Sequence, residues 1–241
     1  RQRQMCIRDR LKHVEEMIGD GADVIDIGGE STRPWGYTKI SDEEETGRVV
    51  PVIEAVKKEF EIPISVDTYK SGVAEAAAQA GADLINDIWG LKYDARMAEV
   101  IAKSGLACCL MHNRDNAEYR NFMEDMKQDL RETIALAKAA GIADDKIILD
   151  PGVGFAKSYE NNLEVISRLK EFNELKYPVL LGTSRKSVIG LTLDLPAAER
   201  VEGTIVTTVM AVEAGCMFVR VHDVKENHRA IQMAEAILDR K

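Results

Sequence analysis

The chain has 241 residues, with 32 Lys and Arg against 41 Asp and Glu for a formal net charge of −9, and a pI near 5.1. That balance argues against non-specific binding to nucleic acid or to an anionic membrane, which needs basic surface, and no run approaches the roughly 20 apolar residues of a membrane span. With no charged-then-apolar leader and a length that suits one large α/β domain, the expectation is a single cytoplasmic domain without a dividing linker.

Residues 1–10, RQRQMCIRDR, are polar, lack strand or amphipathic pattern and begin with Arg, so they read as a truncated or foreign start and are left out of the fold; the expected domain is 11–241. A helix at 11–19 precedes the first strand, VIDIGGE (24–30), which breaks into the polar loop STRPWG (31–36). A helix over EETGRVVPVIEAVKKEF (44–60) leads to the strand PISVDT (63–68), and the helix GVAEAAAQA (72–80) leads to LINDIWG (84–90). Then follow ACCLMH (107–112), the helix NFMEDMKQDLRETIALAKAA (121–140), IILDPG (147–152), PVLLGTS (178–184), the helix VEGTIVTTVMAVEA (201–214) and FVRVHD (218–223). Apolar spacing of three and four marks the helices, and short apolar runs mark buried parallel strands. Several helices stop at a glycine suited to the left-handed C′ position. The echo of GADVIDI in GADLINDI repeats one strand-and-helix unit, but the strands are too unevenly spaced for a solenoid. Cys6, Cys108, Cys109 and Cys216 form neither a CxxC pair nor a regular framework and read as reduced core residues.

Strict alternation of strand and helix requires a parallel sheet with helices outside it. A doubly wound sheet wants G-x-G-x-x-G after its first strand, whereas the GxG here, Gly152-Val153-Gly154, comes late and lacks the third glycine. Nearly every strand instead ends in a functional-looking polar residue, the habit of a TIM (β/α)₈ barrel. Seven of its eight strands are recognisable. On that fold Asp67, Asn86, His112, Asp150, Lys186, Arg220 and His222 converge with the loop 28–36 on one mouth.

Each of these residues has a second reading. Asp67 and Asp150 suit helix caps or turns, Asp-Pro-Gly above all. Asn86 suits local backbone, and His112 suits a hydrogen-bonded residue without a chemical role. TSRKS (183–187), at a strand-to-helix junction, has the pattern of an anion site or of a solvated basic turn. Arg220 and His222 alternate along one strand and so share a face, fit for two phosphate-binding groups or for an interior ion pair.

Six ordered stretches, GGESTRP (28–34), SVDTYK (65–70), INDI (85–88), DPGVGFAK (150–157), GTSRKSVIG (182–190) and VRVHDV (219–224), together resemble the dihydropteroate synthase family of pterin-binding TIM barrels. The resemblance runs from about Leu11 to the C-terminus. It implies a transferase of folate biosynthesis, a sulfonamide target, that joins 6-hydroxymethyl-7,8-dihydropterin pyrophosphate to para-aminobenzoate. It also implies Mg²⁺ and a homodimer, with Asp67, Asn86, Asp150 and Lys186 on the pterin and Met111 and Phe155 packing its faces. Arg220 and His222 would hold pyrophosphate, and Thr32, Arg33, Pro34 and Ser187 the para-aminobenzoate side. Asp67, Lys186, Arg220 and His222 are the catalytic set so implied.

Two departures stand out. The family's opening strand and its metal-binding Asn loop have no counterpart in residues 1–10, so no metal ligand is assigned and weak turnover is expected; Trp35 separates STRP from Gly36, where the family commonly has glycine at once. A methyltetrahydrofolate-dependent methyltransferase would share Asp67, Asn86 and Asp150 but needs neither the STRP loop nor a pyrophosphate clamp. A Schiff-base aldolase using Lys186 and a non-catalytic pterin-binding remnant complete the alternatives.

Overall fold

A computed structural model describes residues 7–31 and 38–239. Helix α1 (Ile7–Gly19) begins inside the segment set aside on sequence grounds and leads to β1 (Ile25–Gly28), α2 (Asp42–Glu59) and β2 (Ile64–Asp67). Then come α3 (Ser71–Gln79), β3 (Leu84–Asp87), α4 (Met97–Ser104), β4 (Ala107–Met111), α5 (Phe122–Ala139), β5 (Ile147–Asp150) and α6 (Tyr159–Ser167). The chain closes with β6 (Leu180–Leu181), α7 (Ser187–Leu193), α8 (Val201–Ala214), β7 (Phe218–Val219) and α9 (Val224–Leu238). Local chemistry sets several boundaries. Ser41 caps α2 by accepting the Glu44 amide, and Asp42 to Glu45 place four carboxylates against the positive end of the helix dipole. Ser158 and Asn161 form a reciprocal capping box at α6.

All seven expected strands are present in a barrel of the TIM type, and every pairing is parallel, in the order β1-β2-β3-β4-β5 and then β6-β7. A bridge between Leu149 and Val179 carries the ladder from β5 towards β6. The register sets Gly28 beside Asp67, Asp67 beside Asn86, Asn86 beside Cys109, and Met111 beside Asp150. Because side chains alternate along a strand, each strand then has two unlike faces. Ile25, Ile27, Ile64, Val66, Ile85, Cys108, Leu110, Ile147, Leu149 and Leu181 belong to the large core packed with the helices. The alternate positions, Asp26, Ser65, Asp67, Asn86, Cys109, Met111 and Asp150, face the barrel axis.

Among the described residues, β1 and β7 share no backbone pairing. Side chains span that seam. Arg220, just beyond β7, donates from Nη1 to Asp26 Oδ2 on β1 at 3.0 Å and to Asp67 Oδ2 on β2 at 3.1 Å. The helical layer meets there as well, since a Cβ at Gly21 would lie 2.7 Å from the His228 ring of α9. β6 and β7 are shorter than the runs read from sequence because their polar tails turn to side chains: the amide of His222 donates to Ser184 Oγ at 3.1 Å.

The turn after β5 carries the tightest backbone approach. Gly152 has φ +68° and a Cβ there would lie 2.0 Å from the carbonyl oxygen of His112. Neither the conformation nor the space admits a side chain. Gly152→Ala is therefore expected to lower stability by at least about 2 kcal/mol, read as a shift of the urea midpoint; an unshifted midpoint would contradict this packing.

Candidate active site

Four residues expected to bind one ring system lie at or near the C-terminal ends of β2, β3 and β5 or, for Lys186, at the end of the β6–α7 loop. Asn86 on β3 is 4% exposed, and its carboxamide has no hydrogen-bond partner among the described residues. Asp150 ends β5, buried, with Oδ1 accepting the Gly152 amide at 2.7 Å. Burial pushes its carboxyl up, against the pull of Lys186, the Gly152 amide and Arg220. Asp67 is buried at the end of β2 and takes the Arg220 contact already described.

Lys186 completes this group from the β6–α7 loop. Its Nζ donates to Val153 O and stands 4.8 Å from the centroid of the Phe155 ring. Burial pushes its ammonium down to about 8, although Asp150 and Asp67 favour the charged form. Phe155, Met111, Ile88 and Tyr69 form a second apolar cluster, separate from the main core, with Trp89 packed against it. The site is thus an apolar floor edged by two carboxylates, an amide and an ammonium. A flat heterocycle with several ring N–H groups and a carbonyl matches both the floor and the edge.

The loop holding Lys186 is tied at successive residues. Thr183 Oγ1 meets Thr207 Oγ1 at 2.7 Å and Ser184 Oγ meets His222 Nδ1 at 2.9 Å. Arg185, at φ +60°, forks onto Asp223 through Nε at 3.2 Å and through Nη2. Arg200 donates from Nη1 to Arg185 O at 2.9 Å and to Lys186 O at 3.2 Å. Those contacts offset the cost of a left-handed arginine.

Arg220 and His222 point to different partners, Arg220 to the two carboxylates and His222 to Ser184. Burial works against the Arg220 charge, but Asp26, Asp67 and Asp150 outweigh it and hold the guanidinium protonated. Ser187 is exposed at the first turn of α7. Thr32, Arg33 and Pro34, and with them Trp35, lie outside the described residues, as does Cys6. Cys108, Cys109 and Cys216 are free thiols, the first two buried.

Sequence reasoning missed Asp26, whose signal is a lone acid between two isoleucines of a strand. It also missed a clasp at the root of the STRPWG loop. Buried Lys70 donates to Glu30 Oε2 at 2.8 Å, Glu45 Oε2 at 2.7 Å and Ile40 O at 2.8 Å. Glu30 in turn accepts the Ile40 amide at 2.9 Å and the Tyr69 hydroxyl at 2.5 Å. Burial raises the Glu30 carboxyl, but Ile40, Lys70 and Tyr69 together bring it below its usual value. Glu30 and Ile40, ten residues apart, are joined by one ammonium. Lys70 stood inside SVDTYK without an assigned role.

His112 lies behind the floor rather than in it. Its Nε2 meets Asp129 Oδ2 at 2.9 Å and its Nδ1 meets Lys157 Nζ at 3.0 Å. Burial pushes it down to about 4, helped by Lys157 and opposed by Asp129. Asp87 alternates with Asn86 and so faces the helices; its carboxylate accepts the amides of Trp89 at 2.8 Å and Leu91 at 2.7 Å. Burial raises it to about 6.

Residues 3–222 match the family described as Pterin binding enzyme. The chain is 61% identical over 231 residues to a dihydropteroate synthase of Clostridium beijerinckii, covering 95% of this chain and 86% of that protein. It is 53% identical to the Bacillus subtilis dihydropteroate synthase, covering 95% of this chain and 80% of that one. Among solved structures, a Clostridium difficile dihydropteroate synthase crystallised in the presence of pteroic acid superposes with a TM-score of 0.94 at 49% identity, over 96% of this chain and 88% of that one. A Yersinia pestis dihydropteroate synthase with a sulfonamide drug complex gives 0.93 at 41% identity, over 97% and 86%.

The depressed His112 sets a pH dependence. A neutral buried imidazole supplies stability that is present above its unfolded value near 6.5 and is lost as pH falls through about 4. Wild type should lose up to about 3 kcal/mol relative to His112→Gln over that window. Asp87 works in the opposite direction there, so the difference between the two proteins in urea titrations is the quantity to read; a difference that does not vary with pH would contradict the assignment.

Proposed function

Because the chain belongs to the family of pterin binding enzymes, we infer that its reaction is the one its relatives' names describe, dihydropteroate synthesis. It is a transferase that moves a pterinylmethyl group to an arylamine. The C–O bond between the exocyclic methylene and pyrophosphate breaks, its electron pair leaving on pyrophosphate. The amine lone pair of para-aminobenzoate forms the new C–N bond, and the nitrogen then releases a proton. The arylamine is neutral near pH 7, so no side chain need act as a strong base.

Each residue has a place in that step. Asp150 and Asn86 accept and donate at the pterin edge, Lys186 serves its carbonyl side, and Phe155 and Met111 pack against the ring. Asp67 lies where positive charge develops on the methylene and ring, and a fixed carboxylate there stabilises the transition state more than the ground state. Arg220 already bears on Asp67. Pyrophosphate arriving beside it, with His222, gives the guanidinium a further anion to hold besides Asp26 and Asp67. Thr32, Arg33, Pro34 and Ser187 are assigned to the para-aminobenzoate side. The observation that carries this reading is the edging of the Phe155–Met111 floor by Lys186, Asp150, Asn86 and Asp67.

Among the described residues no group of three His, Cys, Asp or Glu forms a metal cluster; Mg²⁺, which is commonly held by substrate phosphates with few protein ligands, is assigned to the pyrophosphate that carries it. No helix of the described residues is long and apolar enough to cross a membrane. Buried adjacent free thiols suit a reducing cytoplasm. A homodimer is proposed through α7, α8 and α9, which leave Leu191, Val206, Val209, Met233 and Ile237 exposed.

Two measurements follow. Pyrophosphate release should require both substrates, and Asp67→Asn should lower kcat about 100-fold; release with the pterin alone, or an unaffected variant, would refute the assignment. Sedimentation equilibrium should give a dimer that Val206→Asp converts to a monomer, and a monomeric wild type would end the dimer proposal.

A further inference from the structure

Behind the floor runs a line of polar groups that the reaction does not use. Lys157 Nζ donates to Gly152 O at 3.0 Å and to Phe155 O at 2.9 Å, and meets His112 Nδ1 at 3.0 Å. Those acceptors fill an ammonium's three donors, and none of them is charged. The His112 side chain, 0% exposed, is held from behind by Asp129 of α5, which also receives Arg114 Nε at 2.5 Å. With Nδ1 accepting from an ammonium and Nε2 facing a carboxylate, one neutral tautomer satisfies both contacts.

Two of the three acceptors are carbonyls of the 150–157 turn, which needs such a hold. Gly152, Gly154 and Ala156 have φ of +68°, +88° and +46°, and the alanine is strained in that region. Tyr119 secures its carbonyl, donating to Ala156 O at 2.8 Å. The other side of the turn carries Phe155, the Val153 carbonyl bonded by Lys186, and the Gly152 amide on Asp150. Lys157 thus links the scaffold helix α5, through His112, to the Gly152 and Phe155 carbonyls of that turn.

We propose that Lys157 is a positioning residue for the pterin substrate: anchored through His112 to Asp129, it fixes the 150–157 turn so that Phe155 and Asp150 meet the ring in one arrangement. This rests on the assignment of Phe155 and Asp150 to the pterin. Lys157 touches no substrate. Its effect falls on the pterin and spares the arylamine, a split that a lysine needed only for folding would not produce.

Calorimetric titration of dihydropterin pyrophosphate into the whole chain, with KM for para-aminobenzoate measured alongside, tests this. Lys157→Ala is expected to weaken pterin binding at least about 10-fold, to leave KM for the arylamine within about 2-fold, and to recover affinity when propylammonium is added. Should that variant not fold, Asp129→Asn, which keeps the packing at the far end of the line, is expected to weaken pterin binding about 3-fold. Unchanged pterin affinity in the folded variant overturns the proposal, and so does equal loss for both substrates without rescue. An unsubstituted chain that does not bind dihydropterin pyrophosphate overturns the site assignment itself.

Discussion

One guanidinium holds the seam of this barrel. Arg220 reaches from the end of the last strand to Asp26 and Asp67 on the first two, where no backbone ladder joins them among the described residues. A strand pair would close the wall with peptide hydrogen bonds alone. A charged bridge spans the gap instead and leaves a cation beside Asp67. Two carboxylates on one guanidinium also leave the trio with net negative charge, so an incoming anion competes for Arg220 rather than finding it idle. Removing either acid would be expected to free the guanidinium and not merely to loosen the wall.

The same constraint explains the two-faced strands. Isoleucine, valine and leucine point to the helices and provide the core. The axis side is given to Asp26, Ser65, Asp67, Asn86 and Asp150, and buried polar groups are costly unless partnered. Most of them have partners: Asp26 accepts from Ser65 Oγ at 2.6 Å as well as from Arg220, and Asp150 accepts the Gly152 amide. The loops follow this economy, with Lys70 joining both ends of the loop after β1 and Arg200 bracing the carbonyls beside Lys186.

The strands and their order were legible because apolar runs ending in polar residues report both burial and the mouth of a barrel. The places of Asp67, Asn86, Asp150 and Lys186, on or just after such runs, were legible for that reason too. Asp26 was hidden by its place inside a run, where alternation alone does not say which face is the axis. The contacts of Lys70 and Lys157 were hidden because their partners are distant in sequence or are backbone carbonyls; Lys157 holds His112 from 45 residues away, which puts His112, read from sequence as a hydrogen-bonded residue of the mouth, behind the floor. Asn86 and Asp87 show the limit most sharply. They are neighbours in one motif, yet the first faces the axis and the second supports a turn behind it through two backbone amides.

We propose that Arg220, held between Asp26 and Asp67, is the cation that gives the pterin site its demand for pyrophosphate. The direct test compares binding of dihydropterin pyrophosphate with that of the unphosphorylated dihydropterin alcohol, in wild type and in Arg220→Met. The wild type should prefer the pyrophosphate ester, and the variant should lose that preference by about 10-fold or more. An undiminished preference in Arg220→Met would show that another group makes that demand.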